Sequence, residues 1–180
     1  MRAYNNYEIQ KMLPIVQMEI DNQFPFEVAR DGQKELILQI VTTFMEGKKF
    51  FILEAPTGTG KSVIGTTAAK VINALFTNPD DEKDKGNACV CTKTKALQNQ
   101  YSESFPDIVS LWSASGYECN VAPFNPDAHY GSYTCNKKFC KAYESCNYRV
   151  ERDKFNKSPM GVLNFAYFLH NRNYYPKIVS

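Results

Sequence analysis

The feature that most constrains this chain is the run Glu54-Ala55-Pro56-Thr57-Gly58-Thr59-Gly60-Lys61-Ser62, set between the apolar Phe50-Phe51-Ile52-Leu53 and a helical pattern that follows. A strand feeding a glycine-rich turn that opens a helix is a phosphate-binding architecture, because backbone N–H groups of the turn and the helix N-terminus face the same anion. This order predicts a P-loop. Lys61 is then placed to reach the terminal phosphates of a nucleotide and Ser62 to ligate Mg²⁺, which makes them the candidate catalytic pair. Thr57, Gly58, Thr59 and Gly60 supply the cradle, and the two glycines remove Cβ atoms where the chain must pass close to phosphate.

A sequence of 180 residues can bury a full core and leaves room for one domain and an insertion. Hydrophobic residues at 43% and charged residues at 22% are ordinary for a globular chain. No apolar run approaches the ~20 residues a bilayer requires, and residues 1–10 have no apolar centre of a signal peptide, so a membrane role is not expected. The expected compartment is the cytoplasm, or the nucleus in a eukaryotic host, where six cysteines argue for metal or catalysis before disulfides. A net charge of +2 requires any nucleic-acid surface to come from local charge.

Residues 1–23 read as a helical lead-in, with Pro14 expected to kink or divide it. Leu36, Ile37, Ile40, Val41, Phe44 and Met45 then share one helical face, with Asp31 as the expected cap and Gly47 as the stop. A helix is predicted again over 63–76, followed by a charged surface loop over 77–87. Ala88 to Thr92 predicts a short buried strand in which Cys89 and Cys91 are core packing. After it Leu97, Tyr101 and Phe105 recur every fourth residue, as on the inward face of a helix. Strand and helix alternating in this way predict a parallel α/β sheet, whose ligands bind at the carboxyl ends of the strands. Thr92, Lys93, Thr94 and Gln100 fall at such an end, where hydroxyls and N–H groups suit phosphate contacts without base preference. A further strand is predicted at 108–112.

From Ser113 to Lys157 the composition changes to Tyr, Asn, Cys and Lys, with too few aliphatic residues for an apolar core. Cys119, Cys135, Cys140 and Cys146 are spaced C-x15-C-x4-C-x5-C. Four thiolates can hold tetrahedral zinc or an iron–sulfur cluster, and either would supply the missing folding energy; disulfides or unligated thiols are the third reading. Between His129 and Lys157 stand seven basic and three acidic residues, Lys137 and Lys138 among the former, interleaved with Tyr and Phe. That pattern suits a single-stranded nucleic acid, with cations along the phosphates and rings under the bases, though aromatics packed about a metal site would read alike. Ser158-Pro159 predicts a helix start, with an apolar helix over 163–169, and Tyr175 to Ser180 predicts the beginning of a strand.

The P-loop, which has Ala55 where the common pattern has Gly, resembles the Walker A motif of superfamily 2 helicases. The pair Arg30 and Gln33 resembles the adenine-reading Q motif of the same enzymes, and Thr92 to Gln100 resembles their motif Ia, which grips single-stranded DNA. The four cysteines resemble the cluster domain of the DinG and XPD helicases. This resemblance implies a RecA-like P-loop parallel sheet flanked by helices, divided as lead-in 1–23, ATP-binding domain 24–112, iron–sulfur insertion 113–157 and a return to the sheet over 158–180. It implies ATP, Mg²⁺ and a [4Fe–4S] cluster, single-stranded DNA or a forked duplex as partner, and 5′ to 3′ movement. The Asp-Glu-Ala-His tetrad of those helicases does not occur in the 180 residues, nor does a second RecA-like half. The chain is thus expected to be the N-terminal portion of a larger motor, inactive alone. Two rival expectations are a non-catalytic nucleotide- and nucleic-acid-binding regulator, and a P-loop ATPase with a zinc site acting on RNA.

Overall fold

A computed structural model of the chain describes residues 3–77, 88–118 and 144–171. It divides into two compact units, Met1–Ala88 and Cys89–Ser180.

The first unit is a three-helix packing. Helix α1 spans Asn6–Gln23 and opens with a capping box: the Asn5 side chain accepts from Glu8 N at 3.0 Å, and Asn5 N donates to the Glu8 carboxylate at 2.9 Å. Pro14 does not divide this helix. Proline removes one backbone donor, but Ile9, Val16 and Ile20 are buried on the other side of that turn, and their packing carries the helix through. Helix α2 spans Gln33–Met45 and α3 spans Lys61–Phe76. The cap of α2 is Gly32 in the left-handed region rather than Asp31, and Gly47, at φ 82°, ends it as expected. Ile37, Val41, Met45, Ile64, Ala68 and Val71 form the core between α2 and α3.

Phe50 to Leu53 was predicted to be a strand, and the structure corrects this: among the described residues the segment has no ladder partner and is not a strand. Its side chains still alternate, with Phe51 and Leu53 packed on the helical core and Phe50 and Ile52 at 85% and 92% exposed.

The second unit is a three-stranded sheet in the order β1-β3-β2, with β1 at Ala88–Thr92, β2 at Val109–Leu111 and β3 at Met160–Asn164. Strands β2 and β3 are parallel, with Val109 opposite Gly161 and Leu111 opposite Leu163. Helices α4 (Lys95–Ser104), α5 (Asn147–Lys157) and α6 (Phe165–Asn171) flank the sheet. This is consistent with the RecA-like α/β class that the sequence predicted.

Two expectations change here. The apolar helix predicted over 163–169 is the end of β3 followed by α6, and the Ser158-Pro159 pair does not start a helix. Ser158 closes α5 and holds the turn into β3, its hydroxyl donating to Met160 O at 2.7 Å. An apolar stretch buried on both faces carries no periodicity that separates strand from helix. Phe155 of α5 is buried against Gly161, where a side chain would collide with its ring.

Cys89 and Cys91 were expected in the core. Cys89 is half-buried against the Leu111 cluster and Cys91, on the same strand face, is exposed. On α4 the buried residue is Gln98, while Leu97 remains 43% exposed. No helix among the described residues is long and apolar enough to cross a membrane. The strand expected at 175–180, the loop over 78–87 and most of the cysteine-bearing insertion lie outside the described residues.

Candidate nucleotide-binding site

The glycine-rich turn sits at the N-terminus of α3, where geometry and sequence agree. Gly58 and Gly60 both take positive φ, 86° and 81°, a region that side-chain-bearing residues enter only with strain. Gly60 is the N-cap of α3 and brings no side-chain oxygen to the helix end, so the first N–H groups of α3 have no side-chain cap. No acidic residue stands in the first turn. Lys61 and Ser62 are exposed at this end. An anion is the chemical complement of such a helix terminus.

The carbonyls of the loop are engaged by side chains. Lys61 Nζ donates to Ala55 O and to Pro56 O, each at 2.8 Å, and Thr59 Oγ1 donates to Pro56 O at 2.9 Å. Arg30 Nη1 donates to Gly58 O. Gln33 Nε2 donates to Thr59 O at 3.0 Å, while its Oε1 accepts from Arg30 N at 3.0 Å. The structure thus places Arg30, Gln33, Gly58, Thr59, Gly60, Lys61 and Ser62 within one unit, with Arg30, Gln33 and Lys61 bonded to loop carbonyls. What sequence reasoning missed is that Arg30 and Gln33 meet the loop itself. A Gln at the start of the helix preceding a glycine-rich turn gives no sign of which partner it takes.

This arrangement is chemically suited to a nucleoside triphosphate with Mg²⁺: an α3 terminus with no side-chain cap is a complement to phosphate, and the Lys61 ammonium, now on two loop carbonyls, is exposed. Residues 27–155 match the family described as type III restriction enzyme, res subunit. The chain belongs to that family. Its res-subunit domain is a superfamily 2 helicase N-terminal domain, of a helicase-like, ATP-dependent nucleic-acid motor family. No curated protein matches the chain.

The res-subunit match takes in the strand end after β1. Thr92 is buried and its hydroxyl donates to Thr94 O at 3.2 Å; Thr94 caps α4, its Oγ1 accepting from Leu97 N at 3.2 Å. Lys93 and Gln100 are exposed, and Lys93 O accepts from Asn164 Nδ2 at 3.1 Å. Both threonine hydroxyls predicted for phosphate contact therefore shape the turn. Beside it lies a cavity of about 210 Å³ lined by Lys95, Gln98, Trp112, Asn164 and Tyr167 at the carboxyl ends of the strands. Gln98 Nε2 bridges Leu111 O at 2.9 Å, Ser110 Oγ at 3.0 Å and Val162 O at 3.4 Å.

Of the four cysteines, Cys146 alone is described: half-buried, with no disulfide partner among the described residues, at the N-cap of α5. Cys119, Cys135 and Cys140 lie outside the described residues, as do Lys137 and Lys138. Among the described residues no group of three or more His, Cys, Asp or Glu could hold a metal.

Two thiols in β1 depart from ordinary behaviour. The hydrogen bond between Cys89 and Cys91 and the burial of Cys89 push the Cys89 thiol up, whereas the same hydrogen bond holds the exposed Cys91 below its usual range.

Proposed function

We propose that the chain is the nucleotide-binding portion of an ATP-driven DNA helicase of the DinG and XPD type. The observation that carries this is the loop Thr57 to Lys61: two left-handed glycines, a helix terminus without a side-chain cap, and a lysine and serine at its mouth. Lys61 and the loop N–H groups would neutralise charge on the terminal phosphates, and Ser62 would hold Mg²⁺. In this reading Cys119, Cys135, Cys140 and Cys146 hold a [4Fe–4S] cluster that braces the insertion. Of these four, Cys146 is a half-buried thiol at the N-cap of α5. Lys93, Thr92, Thr94 and Gln100, with Lys137 and Lys138, would lie along single-stranded DNA or the fork, with 5′ to 3′ polarity implied by the DinG and XPD resemblance.

Calorimetric titration of the chain with Mg–ATP tests the nucleotide site, with saturable binding expected. Anaerobic purification tests the cluster: brown protein with iron and sulfide in equal amounts is expected, and Cys140→Ser should lose the iron while still binding nucleotide. Colourless protein carrying zinc would replace the iron–sulfur assignment with a zinc site.

A further inference from the structure

Gln33 and Arg30 were expected to read adenine, but their contacts face the P-loop. Gln33 is 5% exposed, which leaves its amide no open edge for a base. Its orientation is also fixed. The oxygen accepts from Arg30 N and the nitrogen donates to Thr59 O, both at 3.0 Å, and turning the amide over would set oxygen against oxygen and N–H against N–H. The amide lies over Gly60, where any Cβ would collide with Nε2. Arg30 extends the same contact by one residue, donating to Gly58 O.

The consequence follows from peptide geometry. No cis peptide occurs among the described residues, and in a trans peptide the C=O and N–H point in opposite directions. Holding the oxygens of Gly58 and Thr59 toward Arg30 and Gln33 turns the N–H groups of Thr59 and Gly60 to the other side of the loop. Successive N–H groups on one side of a turn form an anion nest. We infer that Arg30 and Gln33 are positioning residues that set this nest, so the site takes its ligand by the triphosphate chain and draws no base selectivity from the pair. The class of ligand is then any nucleoside triphosphate, with inorganic tripolyphosphate as the minimal member.

The inference rests on the nucleotide-binding reading above, and one experiment separates the two. The chain and its variants Gln33→Ala, Gln33→Glu and Arg30→Met are titrated with Mg–ATP, Mg–GTP and Mg–tripolyphosphate. The unchanged chain should bind ATP and GTP within about threefold, and Gln33→Ala should weaken all three ligands by one common factor of about tenfold, the loss of a single hydrogen bond. Arg30→Met, a change at an exposed position that leaves the core intact, should show the same uniform loss. Gln33→Glu sets a carboxylate against Thr59 O at neutral pH; protonation restores a donor, so its affinity relative to the unchanged chain should recover as pH falls toward the carboxylate range near ~4.3. A merely structural role would instead lower the melting temperatures of Gln33→Ala and Arg30→Met in step with their affinities, whereas positioning lowers affinity in samples that melt as the unchanged chain does. If Gln33→Ala loses ATP while GTP and tripolyphosphate are unaffected, Gln33 reads the base and the inference falls while the nucleotide site stands. If the unchanged chain binds none of the three, both fall.

Discussion

Two buried glutamines, one in each unit, use the same bond for different ends. Gln33 is 5% exposed and donates to a carbonyl of a glycine-rich turn; Gln98 is 1% exposed and donates to a carbonyl at the end of β2 and to one in the middle of β3. The strands that Gln98 ties are already paired in a ladder, Ser110 opposite Val162, so its bonds add stability to a shape held by other means. The turn that Gln33 holds has two left-handed glycines and no ladder, so its peptide orientations depend on the side chains that grip them. An amide that stabilises a sheet and one that aims a loop are distinguished by how far their targets are otherwise constrained.

That contrast predicts variants that separate ligand affinity from stability. The largest effect is expected at Lys61. Lys61→Ala removes a charge-assisted bond to phosphate and should weaken Mg–ATP by about 10- to 100-fold with little change in melting temperature, since Lys61 is exposed. Titration and thermal melting of the same sample check both halves. Gln98→Ala should do the reverse, costing about 2 kcal/mol in denaturant unfolding by stranding buried acceptors while ATP affinity holds. A Gln98 variant that lost ATP affinity without losing stability would erase the distinction between the two glutamines.

Smaller effects refine it. The hydroxyls of Thr66 and Thr67 in α3 are buried and have no hydrogen-bond partner among the described residues. Thr67→Val should therefore raise stability by about 1 kcal/mol and leave nucleotide affinity unchanged. In β1 the thiolate is the reactive form, and Cys91, exposed and held low by the hydrogen bond from Cys89, should be alkylated at pH values below the ordinary thiol range near ~8.5. Cys89 should resist across the same window, because its thiol is pushed up. Peptide mapping after iodoacetamide at stepped pH reads the order, and equal labelling would contradict it.

How much of this was legible beforehand depended on the range of the forces involved. The P-loop turn, α2, α3, β1 and β2 are written in local patterns of glycine, capping and periodicity, and they occur where those patterns place them. Met160 to Asn164 was not legible as the central strand, because a run buried on both faces has no alternation and Ser158-Pro159 imitates a helix start. Phe50 to Leu53 shows the complementary limit: an apolar run ahead of a glycine-rich turn reads as a strand, yet a strand also needs a neighbour. Gln33 could be picked out as a site residue, but its partner could not, since Thr59 lies 26 residues away. Gln98 drew no notice at all. Its Val162 contact spans 64 residues, and nothing in a helix sequence announces a buried amide.

The account turns on whether the Thr57 to Ser62 backbone is an anion nest, and amide NMR of the isotopically labelled chain tests that most directly. Addition of Mg–ATP is predicted to move the N–H resonances of Thr59, Gly60, Lys61 and Ser62 before any others, and Mg–tripolyphosphate to move the same set. Saturating ligand that leaves those four resonances in place would contradict the site.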